Sequence, residues 1–328
     1  MLRVELQRLS HKDVRQRRMA VRRLFEIGDA AALPAFVDLL DDEDPWFADK
    51  AVEAIRHWLG SEHRSVVVSL SVSDESSRRQ LAAELAPRLG MPGLDVLSNL
   101  CLDGDDGVRR TAWNGRLRID LGSIPVAFKH EDHVVRRMAV ERSGDSALLS
   151  EALEDEHLRV RGSALNRMAV LGLESDALDP LLDDANLRAK AAELRLPALI
   201  EGGDTATLSS LCSAPDAALR KVLAKYLDQA DWFGWADVVE SIQQSEDVML
   251  MPRLLRSRRE PEAEMLRLAL LSSAESMVRA RVLEHMHGRP LSDSARSAVT
   301  SLCEDEDPLV AQAAASVLSD ATTLGADA

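Results

Sequence analysis

The apolar positions of the chain fall in short helical runs that recur about every thirty residues. Gln16-Arg17-Arg18-Met19-Ala20-Val21 and Val135-Arg136-Arg137-Met138-Ala139-Val140 are nearly the same string, and Asp44-Pro45-Trp46-Phe47 corresponds to Asp307-Pro308-Leu309-Val310. Anchored on the small or apolar residue of this motif, units fall at Ala20, Ala51, Leu81, Ala112, Ala139, Ala164, Ala191, Leu223, Pro252, Val282 and Ala314, spaced 25 to 32 residues apart. A period of this length signals a repeat architecture. One unit cannot bury its own apolar face, and stacked units bury a continuous core.

Three columns carry the register. Seven residues before the anchor stand Asp13, Asp44, Asp74, Asp105, Asp132, Asp184, Asp216, Glu275 and Asp307. Three before it stand Arg17, Arg78, Arg109, Arg136, Arg161, Arg188, Arg220 and Arg279. Eleven before it, the position is apolar in nine of the eleven units, Cys101, Cys212 and Cys303 among them. The acidic column predicts N-caps, because a carboxylate there accepts from free N–H groups and faces the positive end of the helix dipole. Pro45 and Pro308 then occupy the first helical position, where a missing N–H costs nothing. Gly28, Gly60, Gly90, Gly172 and Gly202 are expected to end the second helices. Pro252 sits awkwardly for an anchor inside a helix.

The Asp-x-x-Val-Arg-x-x-Ala pattern and the short unit resemble the HEAT-repeat family, most closely the HEAT-like class named after phycobilin lyases. The resemblance covers roughly residues 1–320. It implies an all-α, right-handed α-solenoid of about eleven helix pairs, with a short tail at 321–328. It also implies that the recurrent Asp and Arg form a ladder between repeats and that the second helices line the concave face.

Composition agrees with helix-on-helix packing. Aromatics make up 3% of the chain, and the 46% hydrophobic fraction is mostly Ala, Leu and Val, a poor mix for a β-sandwich. The longest charge-free run, Pro308 to Ser319, is 12 residues, shorter than the roughly 18 a bilayer span needs. No secretory signal is visible after Met1, and three cysteines make no disulfide framework. The expectation is a cytoplasmic monomer with no cofactor. A net charge of −15 weighs against broad nucleic-acid binding, since phosphate contacts need local positive charge.

Candidate chemistry is sparse. The cysteines share a core column in place of Leu and are expected to be buried and unlinked. His130-Glu131-Asp132-His133 and His285-Met286-His287 lack a partner set for metal. HEAT-repeat enzymes of the deoxyhypusine hydroxylase type hold iron with several His-Glu pairs, whereas this chain has one, His130-Glu131. No phosphate loop, nucleophile elbow or His-Glu-x-x-His helix occurs.

Two features depart from the repeat. Asp231-Trp232-Phe233-Gly234-Trp235 concentrates two of five tryptophans between helices. It suits an apolar plug or, through Trp232 and Trp235, a partner anchor. It is also similar to the aromatic and acidic groups of HEAT-like alkylpurine DNA glycosylases. Residues 1–23 carry a local charge of +6, with Arg15, Arg18 and Arg22 on one helical face. Arg253, Arg256, Arg258 and Arg259 form a smaller patch that Glu260, Glu262 and Glu264 are expected to neutralise. The reading is a non-catalytic protein-binding scaffold, with Arg15, Arg18, Arg22, Trp232 and Trp235 as candidate contacts. The alternatives are a HEAT-like enzyme or enzyme accessory, lyase-like or glycosylase-like, and a nucleic-acid-binding solenoid using the basic N-terminal end.

Overall fold

The computed structural model describes residues 1–173, 176–214 and 216–326 of the chain. Among these, all regular structure is helical, and it forms an α-solenoid of stacked helix pairs. Two compact units divide it, Met1–Arg167 and Met168–Ala328. The first holds the pairs α1 (Leu2–Arg8) and α2 (Val14–Ile27), α3 (Leu33–Asp38) and α4 (Pro45–Trp58), α5 (Arg64–Ser71) and α6 (Ser76–Leu85). These are followed by α7 (Leu94–Leu100) and α8 (Asp106–Ile119), α9 (Ile124–Phe128) and α10 (His133–Arg142), and α11 (Ser146–Ala152) and α12 (Leu158–Leu171). The second unit has a 3₁₀ segment (Asp176–Leu182) paired with α13 (Arg188–Gly202), then α14 (Thr205–Ser213) and α15 (Ala217–Leu227), and α16 (Ala236–Gln243) and α17 (Leu250–Leu255). It ends with α18 (Pro261–Leu270) and α19 (Ser276–Met286), and α20 (Asp293–Ser301) and α21 (Pro308–Ala326). Second helices stack on second helices, as in α6 on α8 on α10 and in α13 through α15, α17 and α19 to α21. No helix among the described residues is long and apolar enough to cross a membrane.

The capping chemistry sets where each second helix begins. The carboxylates of Asp13, Asp44, Asp105, Asp132 and Asp216 accept from the backbone N–H of Arg15, Trp46, Val108, Val134 and Ala218, at 2.8 to 3.1 Å. Each satisfies a donor that the helix cannot. Where His157 stands in place of the acid, its Nδ1 accepts from Arg159 N at 3.2 Å.

Three details of register differ from the sequence expectation. In the third pair the N-cap is Glu75, one residue after Asp74, so Ala82 replaces Leu81 as the anchor. In the ninth pair Asp247 accepts from Met249 N at 3.1 Å, and α17 starts at Leu250. Pro252 therefore lies in the first turn, where its missing N–H breaks no helical bond, and Leu254 takes the anchor position. The left-handed residue after α13 is Gly203, with φ of +65°, because α13 runs through Gly202. At the C-terminus α21 continues to Ala326, through most of the expected tail. Residues 327–328 lie outside the described residues.

The anchor column is buried throughout, from Ala20, Ala51 and Ala82 to Leu254, Val282 and Ala314. Small residues there let neighbouring second helices approach closely, since interaxial distance follows the side chains at the contact. One turn beyond the anchor Ala112, Gly115 on α8 also sits in close contact. A Cβ at that site would meet Leu97 Cδ2 at 2.9 Å and Pro87 Cγ at 3.0 Å. The cysteine column is core at Cys101 and Cys212, whose thiols burial pushes up to about 11 and about 12. Cys303, expected to be buried as well, is only half-buried and lies in the 3₁₀ turn (Leu302–Glu304) after α20.

Arginines four residues into the second helices knit the turns together. One amino group of each reaches back to close its own turn. Arg79 donates to Ser73 O and Asp74 O, both at 2.9 Å. Arg136 donates to His130 O at 3.0 Å and Glu131 O at 2.8 Å, and Arg279 donates to Ser273 O at 2.7 Å and Ala274 O at 3.1 Å.

The rest of the guanidinium reaches forward to an acid in the next turn. Arg79 grips Asp103 at 2.7 and 3.0 Å, Arg136 grips Asp155 at 2.8 and 3.0 Å, and Arg279 grips Asp305 at 2.9 and 2.7 Å. Arg17 pairs with Asp42, and Arg220 with Asp247 at 3.2 Å. The ladder acids therefore stand ahead of the capping column, and in the third pair Arg79 takes the place expected for Arg78. Each ladder acid is already committed to a backbone N–H two residues on, as Asp103 is to Asp105 N at 2.9 Å and Asp155 to His157 N at 2.8 Å. The Arg79 guanidinium holds the Asp103 carboxyl below its usual range. Burial opposes ionisation of Asp155, and the Arg136 bond outweighs it, so that its pKa also falls.

Two predictions follow from this packing. Arg136→Met strands Asp155 and two carbonyls and should cost about 3 kcal/mol, against about 1 kcal/mol for removing the cap with Asp132→Ala. Urea denaturation of the two variants checks the order, and a smaller loss for Arg136→Met would remove the ladder from the account of stability. In native protein a bulky thiol reagent should modify Cys303 first and leave Cys101 and Cys212 until the chain unfolds, which mass spectrometry of time points resolves.

Candidate functional site

The basic N-terminal surface is built on α2 and α4. Asp13 caps α2, and the helical repeat puts Arg15, Arg18, Met19 and Arg22 on one side. On α4 the same repeat aligns Trp46, Lys50 and Glu53. Between the helices lies a groove of about 490 Å³ lined by Arg22, Phe25, Trp46 and Lys50, with Glu26 and Glu53 also in its wall. Phe25 forms part of its floor and is itself held by stacking on Trp58, centroids 5.1 Å apart, and by an edge contact with Phe36 at 5.3 Å. Met19, expected on the apolar side of α2, is 44% exposed. The surface thus mixes cations with soft apolar area.

Ion pairs engage four of the eight Lys and Arg residues of this end. Arg8 and Arg23 converge on Glu5 Oε1 at 2.8 and 3.1 Å, and Glu5 is only 3% exposed. Arg17 is spent on the ladder, its guanidinium 4.0 Å above the Phe47 ring. Arg18 bonds Asp44 at 2.8 Å and lies over Trp46 at 5.1 Å. That bond, with the one from Trp46 N, holds the Asp44 carboxyl below its usual range. Arg15 and Arg22 are exposed and have no carboxylate partner among the described residues. Of the three expected contacts on this face, Arg18 therefore positions Trp46, and Arg15 and Arg22 carry free charge.

The tryptophan segment is organised differently. Trp232 is fully buried, stacked at a tilt on Phe233 with centroids 4.5 Å apart. Arg258 covers Phe233 at 5.2 Å and donates to Leu227 O at 3.3 Å, which ties the turn to the next pair. Trp235 is half-buried at the start of α16, and its N–H donates to Trp232 O at 3.0 Å. The segment plugs the turn, and Trp232 presents no surface to a partner.

The histidines serve the turns. His130 Nδ1 accepts from Asp132 N at 3.0 Å, and His133 stacks on His157 with centroids 3.6 Å apart. His287 pairs with Asp320 at 2.8 Å. Burial, with Arg281 and Arg256 nearby, pushes His285 down to about 4. Among the described residues no three His, Cys, Asp or Glu side chains gather as metal ligands. The patch beginning at Arg253 is neutralised less than expected. Glu260 takes Arg258 at 3.1 Å, while Glu264 accepts the Ser292 hydroxyl at 2.7 Å. Sequence reasoning missed Trp46 and Phe25 as groove residues, since each reads as an ordinary helical apolar position.

Residues 3–86, the helix pairs from α1 to α6, match the family model of HEAT repeats. By sequence, no curated protein matches the chain. Among solved structures, Escherichia coli YibA is 12% identical over 89% of this chain and 96% of its own, with a TM-score of 0.37. Human deoxyhypusine hydroxylase in complex with glycerol is 15% identical over 98% and 96%, with a TM-score of 0.32. Kap95p, solved with RanGDP, is 10% identical over 100% of this chain and 49% of its own, with a TM-score of 0.39. Likenesses this loose transfer no activity, ligand or partner.

The burial of Trp232 sets an expectation. Trp232→Ala should cost about 3–5 kcal/mol by opening a core cavity, whereas Trp235→Ala, at a half-exposed site, should cost about 1 kcal/mol. Chemical denaturation of both variants tests the plug, and equal, small losses would return Trp232 to the surface.

Proposed function

We propose that the protein is a non-catalytic protein-binding scaffold whose α2/α4 surface docks an acidic, amphipathic segment of a partner protein. HEAT repeats over residues 3–86 supply a stacked-helix scaffold, and the observation that carries the reading is the pairing pattern on the α2/α4 surface. Arg15 and Arg22 stay unpaired beside exposed Met19 and the Trp46–Phe25 groove, in a chain of net charge −15 that neutralises Arg8, Arg17, Arg18 and Arg23 internally. Cations left free in an acidic protein steer a negatively charged partner. A half-buried aromatic and a flexible methionine at the centre suit its apolar side chains.

The test is charge reversal of Arg15 and Arg22 together, leaving Arg18 in place because it is bonded to Asp44. Each change should alter stability by less than about 0.5 kcal/mol. Association with a partner isolated on the intact protein should slow about tenfold or more, and the rate should lose most of its salt dependence. Unchanged association kinetics at two salt concentrations would show that this face is only a solvated end of the scaffold.

A further inference from the structure

The second unit buries an arginine without giving it a carboxylate. Arg267 interrupts the apolar run Met265–Leu271 on α18 and is 4% exposed. Among the described residues no acid lies within ion-pair distance of it, and Glu264 and Glu260 act only from farther away. Its Nη2 donates to Leu255 O at 3.0 Å and to Arg258 O, while its Nε is buried with no acceptor. Arg289 is placed in the same way. Nη1 donates to Arg258 O and Nη2 to Arg256 O, both at 2.7 Å, and no acid pairs with it. These bonds satisfy carbonyls at the C-terminal end of α17, where cations are favoured. They account for the amino groups and leave the charge uncompensated, and a buried cation without a counter-ion is costly.

Arg267 and Arg289 line one half-open pocket together with Arg259, about 330 Å³ in volume with Met286 and Leu291 among its apolar walls. Its lone acid, Glu264, is bonded to the Ser292 hydroxyl at 2.7 Å. Burial and the proximity of Arg289 push Arg267 down to about 10, and burial and Arg259 lower Arg289. Three cations are held together here, with too little negative charge to balance them.

We propose that this cavity binds a phosphate monoester, with Arg259 and Arg289 donating to its oxygens, Arg267 supplying buried positive charge behind them, and Met286 and Leu291 packing the carbon next to the ester. Among the residues lining the cavity, three arginines against one glutamate leave an excess of two positive charges, with Glu260 acting on Arg267 only from farther off. A dianionic phosphate matches that excess, and a carboxylate leaves half of it. Guanidinium forks suit tetrahedral oxyanions. The ester is carried either by a phosphorylated side chain of a protein or by a small free metabolite.

Isothermal titration of the full chain with inorganic phosphate, phosphoserine, a phosphoserine peptide and its unphosphorylated form, and acetate at matched ionic strength tests this. Phosphate and phosphoserine should bind at millimolar concentration or below, and acetate at least tenfold more weakly. Arg267→Met and Arg259→Glu should each weaken phosphoserine tenfold or more. Arg259 is exposed, so its variant keeps the test valid if Arg267→Met fails to fold. A phosphopeptide that binds tenfold tighter than phosphoserine assigns the site to a modified protein, and equal affinity assigns it to a small ester. The proposal is overturned if neither phosphate nor phosphoserine binds at millimolar concentration, if acetate binds as well as phosphate, or if Arg259→Glu binds like the unaltered protein.

Discussion

The structure depends on satisfying the polar turn between the two helices of each pair. Every such turn exposes carbonyls and N–H groups beside an apolar core, and helical bonds reach none of them. In most turns one arginine resolves this. Its position four residues into the second helix lets it bond two carbonyls of its own turn, as Arg136 does with His130 and Glu131. The same planar group then reaches Asp155 of the next turn through two parallel bonds. Lysine could not serve, because a single ammonium cannot hold both turns with this geometry. The pair adds little stability relative to an apolar replacement of both partners, but losing one partner is costly. Its larger effect is to fix the register of one helix pair on the next.

The forward half of the ladder is discontinuous. Ala48 stands where α4 would carry the arginine, and Ser73 stands where the next acid would be. Arg109 faces a turn with His130 in the acid's place, and it bonds Asp103 O at 2.6 Å and Asp106 of its own helix. Arginine and acid are thus both absent between α4 and the next turn, whereas Arg109 is kept where the acid is missing. Where the acid is missing, the turn is held by a hydroxyl or imidazole, as Ser73 Oγ holds Glu75 N at 3.3 Å and His130 Nδ1 holds Asp132 N at 3.0 Å.

This accounting makes the unmatched arginines informative. The chain is acidic, and most of its arginines end on a carboxylate or a turn carbonyl. Arg15 and Arg22 on the surface, and Arg259, Arg267 and Arg289 around a cavity, do not end on a carboxylate. The first group faces solvent beside apolar side chains, which suits a protein partner. The second is partly buried, which suits a small anion. Both follow from one principle, that charge without an internal partner is retained where something external can supply it.

The sequence by itself determined the helix pairs, their number and most of the capping acids, because period, apolar columns and N-cap chemistry are local and repeat in register, though the cap of the third pair fell on Glu75. It also determined that Cys101 and Cys212 belong to the core, since they replace leucine in an apolar column. Only the tertiary structure decided which acid each arginine meets. A guanidinium reaches across helices, so that Asp132 serves Arg110 at 2.6 Å while Arg136 passes to Asp155. It likewise decided that Trp232 is buried and Met19 exposed, although both are apolar and beside polar neighbours in the chain. Burial at those positions is set by what packs from the adjacent helix pair. Arg267 was legible only as an arginine within Met265–Leu271. That it lacks a counter-ion depends on groups from α17, α18 and the segment after α19 meeting at one cavity, and no local spacing along the chain encodes that meeting.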